Sequence, residues 1–355
     1  MPAVVVDTRS SIMLPIIASV AGYELTDAEK YWLEKNQPAG ISFFHNNIKS
    51  KKQLQQLIKQ IKETTGNDKI LLYIDQEGGQ VCRLAGQEFK TYAPQKRLGE
   101  ISPKATRLHA GLISTDFKEI GLNMNCAPVL DVLHTDTSSV IGSRSFGSDK
   151  KLVAELGKEM MSTYIKNGIC PIMKHIPGHG SAVEDSHLGL PIISKSLDEL
   201  ETDFYPFMFN CDVPAAMTAH VVITAVDDKK PITISKKAID TLIRGHIGFD
   251  GLLISDAMEM RSLKGTIGEK TRQVLEAGCD LALYCSGDID ELNDMVANSL
   301  PMSEKTAERL EKIYHVITKP LSNEKYDYAE YVALTGALQA YSKVTDMTMV
   351  LENMK

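Results

Sequence analysis

Eight short apolar runs, separated by stretches with helical punctuation, constrain this chain more than any other feature. They are IMLPIIAS (12–19), GISFF (40–44), ILLYI (70–74), MNCAPVL (124–130), ICPIM (169–173), AAMTA (215–219), LLIS (252–255) and LALYC (281–285). Each is nearly continuous in hydrophobicity, as strands buried on both faces are, where a half-solvated strand would alternate. Between them the helix signals are local and specific. Thr26 with Glu29 forms a capping box before DAEKYWLEK, and Ser50 with Gln53 forms another before KKQLQQLIKQIKETTG. In the second, Leu54, Leu57, Ile58 and Ile61 share one helical face, and Gly66 stops the helix.

Strands alternating eight times with helices, with no linker between them, predict an α/β fold of the (β/α)8 TIM-type barrel class. No GxGxxG follows an early strand, which speaks against a two-domain dinucleotide-binding arrangement. Residues 1–320 are read as a single catalytic domain and 321–355 as a C-terminal helical extension of unassigned role, covering the barrel or meeting another subunit. The segment RSSIMLPIIASVAG (9–22) has the outline of a crude signal peptide, but it also supplies the first of the eight strands, and the strand reading is preferred.

Composition narrows the partners. A formal charge of -7 with no basic stripe argues against a nucleic-acid surface. No run approaches the ~18 apolar residues of a membrane span, so no membrane partner and a cytoplasmic address are expected. The six cysteines are scattered without a CxxC pair and read as reduced core residues. Oligomeric state leaves no signature.

In a barrel, functional side chains sit where strands give way to loops. The residues that close the apolar runs are Asp75, Asp131, Lys174, His175, His220 and Asp256. Downstream of Lys174 the chain reads KHIPGHGSAVEDSHLGLP (174–191). His175 and His179 are four apart, yet Pro177 and Gly178 oppose the helix that would bring them together, and HExxH is absent, so no metal is expected. The PGHG turn lacks the pattern of a phosphate-binding loop. Asp185 and His187 fit a third chemistry: the carboxylate accepts from one ring nitrogen and fixes the tautomer, while the other nitrogen exchanges a proton near neutral pH. Alone, such a pair is more often an ordinary loop turn.

DQEGGQVCRL (75–84) adds Asp75, able to accept two sugar hydroxyl hydrogen bonds, and Arg83, suited to a carboxylate or amide oxygen. The plainer alternative is an acid that caps the following turn. VIGSRSFG (140–147) places Arg144 among small residues, in an exposed rather than helical setting, and SDAMEM (255–260) puts Asp256 just beyond a buried strand.

Taken in order, DQEGGQVCR, NMNCAPVLDV, IGSRSFG, KHIPGHG with DSHLGLP, and GFDGLLISDAMEM resemble the family-three glycoside hydrolases, specifically the single-domain bacterial cytoplasmic β-N-acetylglucosaminidases that trim cell-wall muropeptides. The resemblance covers roughly residues 14–290. It implies that Asp256 is the nucleophile, that His187 is the proton donor and acceptor paired with Asp185, and that Asp75, Arg83, Arg144, Lys174 and His175 bind the sugar. It also implies a barrel fold, no cofactor, and an N-acetylglucosamine-containing muropeptide as substrate. The sequence departs from the family's pattern at Gln80, often basic there, and at SDAMEM, commonly SDDLSM; both bear on specificity. The implied mechanism is retaining hydrolysis by double displacement. Two rivals stay open: a phosphorylase, because a neutral histidine repels an incoming anion less than a carboxylate does, and a sugar-binding sensor without turnover.

Overall fold

The computed structural model describes residues 13–182 and 189–337. All eight apolar runs contain strand. They are β1 (Leu14–Ser19), β2 (Pro38–Phe43), β3 (Leu71–Ile74), β6 (Met124–Asn125), β7 (Cys170–Pro171) with its continuation β8 (Met173–Ile176), β10 (Ala215–Thr218), β12 (Leu252–Ile254) and β13 (Ala282–Leu283). Four further strands belong to loops: β4 (Gln76–Gly78), β5 (Val81–Cys82), β9 (Ile192–Ile193) and β11 (Val222–Ile223).

The strands of the eight runs pair in parallel, in the order β13-β1-β2-β3-β6-β7 in one sheet and β12-β10-β8 in another. Isolated parallel bridges add Val129 to Lys174 and Ile254 to Leu281. Leu14–Ser19, inside the run with the outline of a signal peptide, is a core strand flanked by β13 and β2. Where β2 passes β3, a Cβ on Gly40 would lie 2.8 Å from both Cβ and O of Leu71, so only glycine allows the backbones this approach.

Along β1, β3, β10, β12 and β13 successive residues enter two separate cores in turn, as a period of two requires. Ile17, Leu71, Tyr73, Met124, Cys170, Ala215, Met217, Leu252, Ile254 and Leu283 form the inner one. Ile16, Ile41, Leu72, Ile74, Ala216, Leu253 and Ala282 face outward into a larger core shared with the helices. Leu310, Ile313, Tyr314, Val316 and Ile317, on the helix Glu304–Ile317, belong to the inner core, and Tyr314 reaches Met13 just before β1. That helix therefore covers the end from which the strands start. Functional loops are left the opposite end.

The helices follow their local signals. Thr26 Oγ1 accepts from Glu29 N, and Glu29 returns the contact to Thr26 N, completing the box that opens Asp27–Asn36. Ser50 caps Lys51–Thr65 only one way: Gln53 N donates to Ser50 Oγ, but the Gln53 side chain accepts from Lys49 N. Leu54, Leu57, Ile58 and Ile61 are buried on that helix, and Gly66 ends it in the left-handed region. Past the expected boundary at residue 320, Tyr328–Thr335 forms a helix against Pro103–Ile120. No helix among the described residues is long and apolar enough to cross a membrane.

Candidate active site

Beyond the carboxyl end of β3 the chain stays extended through β4, which pairs antiparallel with β5. Alternation then puts Asp75 and Glu77 on one side and Gln76 on the other. Gln76 is locked: its N–H donates to Asn125 Oδ1, its carbonyl accepts from Asn125 Nδ2, and its Oε1 accepts from Leu84 N. The two acids flanking it are held at a common face.

Lys174, in β8, converges on that face. Its Nζ donates to Asp75 Oδ1 at 2.8 Å and lies 2.6 Å from Glu77 Oε1. Arg144 makes a bidentate pair with Glu77, Nε to Oε2 and Nη2 to Oε1, both at 2.9 Å. Arg83 Nη2 stands 3.7 Å from Asp75 Oδ2, with the guanidinium over the Phe44 ring. Two carboxylates thus meet three cations in a space from which water is nearly excluded: Glu77 is 1% and Lys174 2% exposed. Removing one partner from such a cluster leaves a buried charge uncompensated, at a cost of about 3–5 kcal/mol.

Burial alone would raise the Asp75 carboxyl; Lys174 and Arg83 outweigh it and hold the group well below the usual carboxylate range. Glu77 is likewise held low against its burial by Arg144 and Lys174. Burial would lower Lys174, and Asp75 foremost holds its ammonium protonated instead. All three stay charged across the physiological range.

His175 follows Lys174 inside β8. Its Nδ1 lies 2.7 Å from Asp131 Oδ2 and its Nε2 3.5 Å from Arg144 Nη2. Burial, and then Arg144, pushes the imidazole well below its ordinary value, so it is neutral. A carboxylate accepts and a guanidinium donates, so the proton sits on Nδ1 and Nε2 is the acceptor. Asp131 takes three donors, the N–H of His175, the N–H of His179 and His175 Nδ1. His179 packs edge-on to His175, buried, with neither ring nitrogen hydrogen-bonded among the described residues.

Asp256 follows β12. Its N–H donates to Thr218 Oγ1 and one carboxylate oxygen accepts from Ala257 N at 2.8 Å. His220, after β10, has Nε2 3.1 Å from the Ala257 carbonyl, so it donates there and steadies the turn that carries Asp256. The Asp256 charge acts on His175, His179 and Cys285, and that of Asp75 on Cys285 as well, which places the acid beside the charged cluster. Asp75 and Asp256 are each partly exposed, while Glu77 and Asp131 are not. A ligand from solvent can reach the first two acids.

The structure therefore brings together Asp75, Arg83, Arg144, Lys174 and His175 by contact, and Asp256 by proximity of charge. Asp185 and His187 lie outside the described residues. Two expectations are corrected. Arg144 is buried in a 3-10 turn, Gly142–Arg144, because Glu77 draws its guanidinium inward and the small residues around it permit close packing. Lys174 and His175 stand within a strand, because β8 runs past the apolar run as far as Ile176. Sequence reasoning missed Glu77, although its spacing of two from Asp75 would have shown it had the strand been continued. It also left Asp131 without a role. Among the described residues no three His, Cys, Asp or Glu are grouped so as to hold a metal ion.

Residues 10–316 match the glycosyl hydrolase family 3 N-terminal domain. This chain belongs to glycoside hydrolase family 3. It is a glycoside hydrolase by that membership, and two curated relatives match it over four-fifths or more of their own length. A β-hexosaminidase of Bordetella avium (strain 197N) is 31% identical over 318 residues, covering 86% of this chain and 89% of that protein. A β-hexosaminidase of Neisseria gonorrhoeae (strain NCCP11945) is 35% identical over 295 residues, 79% of this chain and 81% of its own. Among solved structures, NagZ from Neisseria gonorrhoeae in complex with N-trifluoroacetyl-D-glucosamine superposes with a TM-score of 0.80 at 29% identity, covering 93% of this chain and 98% of that one. The family 3 β-N-acetylglucosaminidase from Paenibacillus sp. str. FPU-7 gives a TM-score of 0.80 at 30% identity over 90% of this chain and 66% of that one.

Proposed function

We propose that this chain is a retaining β-N-acetylglucosaminidase that removes terminal non-reducing N-acetylglucosamine from muropeptides during cell-wall recycling in the cytoplasm, on a closed (β/α)8 barrel. The parallel order of the strands, the bridge from Ile254 to Leu281 and an inner core fed by β1, β2, β3, β6, β7, β10, β12 and β13 support the barrel. The relatives named above support the sugar. The observation that carries the reading is the cluster at the carboxyl ends of the strands, where Lys174 and Arg83 pair with Asp75 and the charges of Asp75 and Asp256 both act on Cys285.

In this reading the sugar lies between the two accessible acids. Asp75, an acceptor only, takes hydrogen bonds from sugar hydroxyls. Lys174, Arg83 and Arg144 donate to ring substituents, with neutral His175 beside them holding Arg144 through Nε2. Asp256 attacks the anomeric carbon as the bond from that carbon to the leaving oxygen breaks, and His187, paired with Asp185, protonates the departing oxygen. His187 then takes a proton from a water whose oxygen displaces Asp256 from the anomeric carbon. The Ala257 N–H on one Asp256 oxygen fixes the rotation of the carboxylate throughout.

Release of aryl alcohol from an aryl β-N-acetylglucosaminide and from the matching β-glucoside, each with and without inorganic phosphate, tests the proposal. The expected result is turnover of the first far above the second, with free N-acetylglucosamine as product in both buffers. Formation of the sugar 1-phosphate would make the enzyme a phosphorylase, and binding of sugar without turnover would make it a sensor.

A further inference from the structure

The helix Tyr328–Thr335 lies beyond the residues that match the family domain, and its contacts lead into the charged cluster. Tyr331 Oη accepts from Ala93 N at 2.8 Å and lies 3.0 Å from His109 Nδ1, while His109 Nε2 lies 3.1 Å from the Glu77 carbonyl oxygen. Every proton along this path has one possible place. A carbonyl only accepts, so Nε2 carries the hydrogen; His109 is neutral, pushed down to about 3 by burial, so Nδ1 accepts and the phenol donates to it. Tyr331 and His109 are fully buried.

The segment between these anchors fits tightly. A Cβ on Gly78 would lie 2.3 Å from Ala93 O and 2.9 Å from His109 Cε1, and Gly79 N donates to Tyr92 O. Thr91 N donates to Tyr328 Oη, and the Tyr92, His109 and Tyr331 rings pack edge to face or tilted at 5.3–6.0 Å.

We propose that Tyr331 is a positioning residue of the sugar subsite: its hydroxyl, acting through His109, fixes the backbone at Glu77 and so the carboxylate on which Lys174 and Arg144 converge. This deepens the proposed function and rests on it, since the cluster so positioned is the one assigned to the sugar. A helix that merely covered apolar surface would need the ring of Tyr331 and not its hydroxyl.

The test uses Tyr331→Phe in the full chain, which keeps the ring. Hydrogen exchange of peptides spanning 76–83 should quicken relative to wild type. On the aryl β-N-acetylglucosaminide, kcat/KM should fall about tenfold, chiefly as a rise in KM, because the side chains it loosens are those that hold the sugar, and Asp256 is untouched. In a Glu77→Gln background the same substitution should cost less than about twofold, since its target is already impaired. Leu310→Ala, a core substitution at the opposite end of the strands, serves as the comparator for lost stability and should leave KM unchanged. Unaltered exchange, unaltered KM, or an undiminished penalty in the Glu77→Gln background would each overturn the proposal. If the wild type turns over no N-acetylglucosaminide, the functional reading fails, and exchange at 76–83 still decides whether Tyr331 holds Glu77.

Discussion

His109, His175 and His179 are all buried, and burial lowers the proton affinity of each imidazole. The sign of the consequence follows from linkage: these groups stay neutral in the folded chain at pH values where the unfolded chain has protonated them, so the stability they permit is whole above the ordinary histidine value and is lost as pH falls below it. For His109 the window runs from 6.5 down to about 3. Each such histidine contributes a slope of about 1.4 kcal/mol per pH unit inside its window. Asp131 and Glu259, whose carboxyls burial pushes up, act in the opposite sense, so the net slope falls short of three histidines. Urea midpoints measured from pH 7.5 to 4.5 should decline on the acid side of 6.5, before the usual carboxylate range is reached. A flat profile down to pH 4.5 would mean that these imidazoles are protonated in the folded chain, and the His175 tautomer assigned above would be wrong.

At the scale of elements, a helix remote from the site should carry stability without carrying activity. Leu57 is buried on Lys51–Thr65, so Leu57→Ala should cost about 2–5 kcal/mol while leaving kcat/KM within about twofold. Denaturation together with the aryl glycoside assay checks both halves. This helix was legible from its sequence because its apolar spacing and its stop at Gly66 are local signals, and the strands of the eight runs were legible because burial on both faces leaves unbroken apolar runs. What was not legible depends on contacts distant in sequence. Arg144 is inside because Glu77, 67 residues away, pairs with it. Small residues around it read as exposure, yet Ser145 Oγ is committed to the Asp131 carbonyl, and the Phe146 backbone lies where a Cβ on Gly99 would be. Glu77 went unread for a different reason: β4 and β5 are too short to show periodicity, although the acid stands only two residues from Asp75.

Across the whole molecule the two ends of the strands do different work. The helix Glu304–Ile317 seals the inner core where the strands begin, and the acids and cations gather where they end. Asp75, Lys174, His175 and Asp256 come from β3, β8 and β12 or the residues directly after them, so their relation is set by strand pairing and needs no long loop. The proposed reaction turns on which carboxylate at that end meets the anomeric carbon. Incubation with a fluorinated N-acetylglucosaminyl donor that forms the glycosyl-enzyme quickly and hydrolyses it slowly, followed by proteolysis and mass spectrometry, answers this directly. One sugar is expected on the peptide that contains Asp256, and none in Asp256→Ala; a sugar trapped on any other side chain, or steady turnover by Asp256→Ala, would contradict Asp256 as the nucleophile.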